Sequence, residues 1–364
     1  MNQGGRIKRV FPASNSGLGF HSFFDYIAGP EIKRVYVVKG GPGTGKSTLM
    51  RRISDEATAR GLDVEFHHCS SDPASLDGLV VPGVGAALLD GTKPHIYDPK
   101  FPGVVDEIIN LGEYLDAAGL REHSQEIQAA SIEGSRRFRS AYRYLRAARQ
   151  IYENLEEKIK EIQDWGWVNQ ESDRLCKEIL GDVPVARKPG RQRHLFVSAL
   201  TPEGPITHAA SLIGPSTQVV ILKGQPGTGK STILGKLAAA AAERGYGVEV
   251  YHNPVEPAKL QHVLIPQLDV LAASSTELFP FTIERECPII DLDCGLDLNR
   301  LDSYQRELEI DDRTFHQLLE TAVSLIAKAR EGHRELEKYY EPNIDFAGLD
   351  RLAERLIAEI FKGR

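Results

Sequence analysis

The chain has only four cysteines in 364 residues, Cys69, Cys176, Cys287 and Cys294. They form no CxxC pair and have no regular histidine partners, which excludes paired-cysteine metal and redox motifs and leaves them as reduced, structural residues. No apolar run approaches the roughly 18 residues of a membrane span, and the N-terminal Met1-Asn2-Gln3-Gly4-Gly5-Arg6 lacks an apolar signal core. A cytoplasmic protein without a membrane partner is therefore expected. Excess basic charge is missing too: the net charge of −7 argues against broad nucleic-acid binding. With 26% charged and 41% hydrophobic residues the composition is that of an ordinary globular chain, and the length predicts two domains of roughly 180 residues.

What the sequence does have is one phosphate-gripping loop written twice. Lys39-Gly40-Gly41-Pro42-Gly43-Thr44-Gly45-Lys46-Ser47-Thr48 recurs as Lys223-Gly224-Gln225-Pro226-Gly227-Thr228-Gly229-Lys230-Ser231-Thr232, and the two differ only at Gly41 against Gln225. Both satisfy G-x-x-x-x-G-K-[ST], in which glycines let the backbone turn its N–H groups around a phosphate, the lysine reaches the β/γ-phosphates and the serine hydroxyl ligates Mg²⁺. The apolar runs Val35-Tyr36-Val37-Val38 and Val219-Val220-Ile221-Leu222 lead in as buried strands, and Leu49 to Ala59 and Ile233 to Ala242 lead out as helices. Strand, loop and helix thus follow in the order the motif requires, with the helix dipole favouring an anion at its start. Residues 40–48 and 224–232 are the candidate nucleotide-binding residues, with Lys46 and Lys230 also catalytic.

The repeat extends well past the loops. Gly61-Leu62-Asp63-Val64-Glu65-Phe66-His67-His68 returns as Gly245-Tyr246-Gly247-Val248-Glu249-Val250-Tyr251-His252, and Asp72-Pro73 as Glu256-Pro257. The polar stretch Gly181 to Arg191 reads as the join. Further on, apolar residues recur at helical spacing from Phe138 to Ile162 and from Phe315 to Tyr340. A turn is expected in each case, at Trp165-Gly166-Trp167 and Glu341-Pro342-Asn343, before a shorter returning helix. The expected architecture is α/β: two tandem P-loop units with mostly parallel sheets, 1–184 and 185–364, each with an appended helical hairpin at about 120–181 and 300–362. The hairpins either cover the cores or serve as a moving lid or a protein-binding arm.

The Gly-x-Pro-Gly-Thr-Gly-Lys-Ser-Thr form of the loop is similar to that of AAA-type ATPases. The whole tandem arrangement resembles a bacterial family of duplicated P-loop proteins described only as ATPases of undefined role. That resemblance implies ATP binding on an α/β P-loop core and supplies no reaction. ATP is favoured over GTP because no Asn-Lys dipeptide is present to begin a guanine-reading element, and the Leu-Ser-Gly-Gly-Gln signature of transporter ATPases is absent.

A P-loop enzyme also needs a carboxylate to organise Mg²⁺ and its water, generally at the end of a second apolar strand. Asp90, which ends Gly85-Ala86-Ala87-Leu88-Leu89, is the candidate catalytic and metal-organising acid of the first unit; Ser47 and Ser231 are the other metal candidates. Ser274 stands at the parallel position of the second unit, so hydrolysis is expected mainly at the first loop. Asp106, paralleled by Asp291, is the rival, though its surroundings follow helical spacing. Asp72 and Glu256 are either helix caps ahead of proline or general bases of a small-molecule kinase. His68 and His252 read as structural strand ends, and Arg6/Lys8 and Arg191/Arg193 as edge-strand charges or arginine fingers. The leading expectation is a Mg²⁺-dependent ATPase of regulatory or mechanical type. A kinase and an ATP sensor with negligible turnover are the alternatives.

Overall fold

A computed structural model describes residues 5–93 and 97–362. Residues 1–4, on which the reading of the leader partly rests, lie outside it. Within the first half run β1 (Ile7–Val10), β2 (Ala13–Ser16), β3 (Gly19–Ser22), β4 (Arg34–Lys39) and α1 (Lys46–Ala59). Then come β5 (Val64–His68), β6 (Leu76–Val81), β7 (Ala86–Asp90), β8 (Asp106–Asn110), α2 (Ala117–Glu122), α3 (Ser124–Glu161) and α4 (Trp165–Leu180). The second half repeats the order with β9 (Gln192–Leu195), β10 (Ser198–Thr201), β11 (Gly204–Thr207), β12 (Gln218–Lys223) and α5 (Lys230–Glu243). It ends with β13 (Val248–His252), β14 (Leu260–Ile265), β15 (Val270–Ser274), β16 (Ile289–Asp291), α6 (Leu298–Tyr340) and α7 (Phe346–Ile360).

Among the described residues the strands form three sheets, so the chain is α/β. Two are six-stranded, in the orders β1-β5-β6-β7-β4-β8 and β9-β13-β14-β15-β12-β16, and the repeat is therefore visible in topology as well as sequence. In each, the strand before the glycine loop lies between two parallel neighbours, while β6 and β14 run antiparallel to both of theirs. A strand with neighbours on both sides and both faces covered explains why Val35–Val38 and Val219–Leu222 are unbroken apolar runs rather than alternating ones. The third sheet, β11-β10-β2-β3, is four-stranded.

The helical spacing around Asp106 gives way to strand β8, whose outer residues are exposed, and Asp72 and Glu256 are followed by turns into β6 and β14, so neither caps a helix. The hairpin helices fall where the apolar periodicity put them, with one correction. Trp165-Gly166-Trp167 is not a turn but the first turn of α4, because Asp164 caps it by accepting from the Trp167 N–H at 3.0 Å. The chain reverses just before, at 162–164. Asp345 caps α7 in the same way, accepting from Gly348 N–H at 2.9 Å.

The chain divides into two compact units, and the division is not the linear one at the 181–191 join. Unit 1 holds residues up to Ser14, 22–140 and 324–364; unit 2 holds 15–21 and 141–323. The boundaries fall inside α3 and α6, so the returning helix of each half belongs to the unit that contains the other half's sheet. In unit 1, Leu352, Leu356 and Ile360 of α7 join Tyr36, Val38, Met50 and Ile53 in one core. In unit 2, Val168, Leu175 and Leu180 of α4 join Val220, Leu222, Ile233 and Leu237. An apolar stripe fixes that a helix must be covered, not which sheet covers it.

Candidate functional site

In unit 1 the loop between β4 and α1 turns through Gly45, whose φ of 81° places it in the left-handed region just before the first helical residue, Lys46. The Lys46 ammonium folds back over the loop, donating to the carbonyls of Gly40 at 2.8 Å and Gly41 at 2.9 Å. The Thr44 hydroxyl, buried, donates to Gly41 O at 2.8 Å and closes the loop on itself. The Ser47 Oγ accepts from the Leu76 N–H at 3.1 Å, which ties the start of α1 to the start of β6 and leaves the hydroxyl a further lone pair.

Unit 2 repeats each of these contacts. Gly229 has φ of 103° before Lys230; the Lys230 ammonium donates to Gly224 O at 2.5 Å and Gln225 O at 2.7 Å; Ser231 Oγ accepts from Leu260 N–H at 2.9 Å. Lys230 is more deeply buried. Desolvation brings it down to about 8, against the opposing pull of Asp293 and then Glu156.

The acids divide the two units. Asp90 sits opposite Val38 at the loop end of β7, with Oδ2 3.7 Å from the Lys46 ammonium and Oδ1 accepting from Thr92 N–H at 2.8 Å. It is thus a turn residue and a partner of the loop lysine at once. Thr92 in turn donates to Gly40 O at 3.0 Å. Ser274 holds the matching place opposite Leu222.

The rival pair needs correction. Asp106 begins β8 opposite Val35, at the end of the strand away from the loop, where it accepts from Phe101 N–H at 2.5 Å. Its parallel is not Asp291. Asp291 lies opposite Lys223 at the loop end of β16, and the residue in that place in unit 1 is Asn110, opposite Lys39. Unit 2 therefore takes its carboxylates from the other side of the loop strand. Asp291 and Asp293 both act on Lys230, and Asp293 accepts from Gln225 N–H at 2.8 Å within the loop. In sequence Val104-Val105 imitates Ile289-Ile290, whereas sheet register matches Ile108-Ile109 to them.

Sequence reasoning also missed Asp77, fully buried in β6. Desolvation and then the nearby Asp90 push its carboxyl well above the usual range, with the Cys69 thiol and Lys46 opposing. A lone acid in an otherwise apolar strand, matched by Gln261 in the repeat, was the available signal.

The remaining candidates are occupied by structure. Asp72 pairs with Arg330 at 3.0 Å and Glu256 with Arg149. The ring Nδ1 of His68 lies 2.9 Å from Pro73 O and its Nε2 3.2 Å from Arg9, while His252 spans Pro257 O at 2.7 Å and His194 at 2.9 Å. Burial brings His252 down to about 4. Lys8 and Arg193 pair with Glu65 at 2.9 Å and Glu249 at 3.5 Å across neighbouring strands, as edge-strand charges do.

No family model, no curated protein and no solved structure matches the chain. Among the described residues no cluster of three or more His, Cys, Asp or Glu could hold a metal ion, and no helix is long and apolar enough to cross a membrane.

Proposed function

We propose that the chain binds ATP·Mg²⁺ at both glycine loops and turns it over, as an ATPase of regulatory or mechanical type. The observation that carries this reading is the shared construction of the two loops. In each, a buried strand feeds a glycine turn, the turn ends at a helix N-terminus, and a lysine ammonium is held over the loop by its own carbonyls. Those loop N–H groups and the ammonium suit the β- and γ-phosphates. Ser47 with Asp90, and Ser231 with Asp291, fit the role of holding Mg²⁺ and its water, since each serine hydroxyl has a lone pair beyond the one used by a backbone N–H. Bound there, Mg²⁺ would neutralise charge on the transferring phosphoryl group.

The kinase alternative is weakened by the two ion pairs, because Asp72 and Glu256 would have to leave an arginine before accepting an acceptor's proton. Calorimetry of the intact chain with ATP·Mg²⁺ is expected to give two sites, with Lys46→Ala and Lys230→Ala each removing one. Absence of binding in the wild type would sink the reading. Phosphate release that begins only when a metabolite pool is added would move it to the kinase.

A further inference from the structure

The helical hairpins, through the ends of α3 and α6 and the starts of α4 and α7, meet the loops of unit 2 and unit 1 in one and the same way. Aligning the caps Asp164 and Asp345 matches Glu156 with Glu337 and Arg149 with Arg330. In unit 2 the backbone of Glu156 lies so close over Gly227 that any side chain there would collide with its carbonyl oxygen, and Val168 and Trp165 lie over Gly229. In unit 1 a Cβ on Gly43 would stand 3.4 Å from that of Glu337, and one on Gly45 3.6 Å from Leu349. The matched arginines close the contact two turns further back, Arg149 on Glu256 and Arg330 on Asp72. In both units the loop comes from one repeat and the covering helices from the other. Incidental packing would not reproduce the same residues at the same glycines twice.

In unit 2 the cover carries charge. Glu156 is 4% exposed and bound to Lys259, whose neighbour Leu260 is the residue held by Ser231. Its carboxylate is felt by the Lys230 ammonium. We infer that each hairpin is a gate on the glycine loop it covers, so that nucleotide bound to one repeat is answered by helices of the other, with Glu156 making the second gate sensitive to anions. This rests on the nucleotide reading above. A polyphosphate reaching Lys230 places like charge beside a desolvated carboxylate and competes with it for Lys259, where screening is weak. Displacing the end of α3 and the start of α4 relieves the repulsion, and nucleotide favours the displaced arrangement by its higher affinity for it.

Hydrogen exchange of the full chain tests the crossing. In Lys46→Ala, which leaves only the second loop to bind, ATP·Mg²⁺ should raise exchange over 156–180 and leave 337–360 unchanged; in Lys230→Ala the response should move to 337–360. Glu156→Gln should tighten binding at the second loop by roughly tenfold and leave the first as it was. A response confined to the hairpin of the repeat that binds would overturn the gate. So would nucleotide binding with no change in exchange and no gain from Glu156→Gln. Failure of both the wild type and Glu156→Gln to bind would instead remove the nucleotide reading, and the gate with it.

Discussion

Lys46 and Lys230 occupy the same place in nearly identical loops, yet the negative charge that faces them arrives from opposite sides of the loop strand. Asp90 reaches Lys46 from β7; Asp293 and Asp291 reach Lys230 from just beyond β16 and from its end, and Glu156 of α3 adds to them. The presence of Ser274 is therefore no reason to assign hydrolysis mainly to the first loop. In a Lys230→Ala background, Asp90→Asn is expected to lower phosphate release about a hundredfold, and Asp291→Asn should do the same in Lys46→Ala. Full activity in Asp90→Asn would free Asp90 from any part in the chemistry. Lys230 also makes folding depend on pH. Between about pH 8 and the ordinary lysine value of 10.5, the unfolded chain holds the proton and the folded chain has lost it, so stability rises with pH through that window and the burial penalty is full below it. The rise should total about 3 kcal/mol. Urea unfolding of unit 2 at pH 7.5 and pH 10 measures it, and Lys230→Met should abolish it; an equal rise in the variant would assign the effect to another group.

At the scale of elements, the hairpins show how far sequence reaches. Phe315, Ala322, Ala329 and Leu336 are buried at the expected spacing along α6, and the capping acids Asp164 and Asp345 sit where helix starts need them. The strands flanking the loops and the carboxylate at Asp90 were legible for the same reason: short-range pattern reports which face is covered. Register is a long-range property, which is why local pattern pairs Asp291 with Asp106 instead of Asn110 and does not place α7 in the core around Met50. Leu356 gives that assignment a measurable consequence. It is fully buried beside α1, so Leu356→Ala should cost about 2–5 kcal/mol. The loss should appear as faster hydrogen exchange in α1, with α5 protected as before. Equal losses in α1 and α5 would contradict the placement of α7.

For the molecule as a whole, sequence repeat and folding unit are different divisions of one chain. Cutting at the 181–191 join separates the repeats but leaves each sheet without the helix that covers it. The fragment 1–184 alone is expected to expose the apolar surface of Tyr36, Met50 and Ile53 that α7 covers, to bind a hydrophobic dye and to aggregate. Mixing it with 185–364 should restore the native exchange pattern. A monodisperse, well-protected 1–184 would show that a repeat can fold without its counterpart's helix.

The interleaving also sets an order of birth. A chain leaving the ribosome has presented all of β4, its glycine loop and α1 long before Leu352 and Leu356 exist, and contacts of such separation form late. Unit 2, whose last residues end at Val323, is complete while the tail of α6 and all of α7 are still to be made. The sheet encoded first thus waits longest for its cover, and through nearly the whole of synthesis its open flank is the surface a chaperone would find.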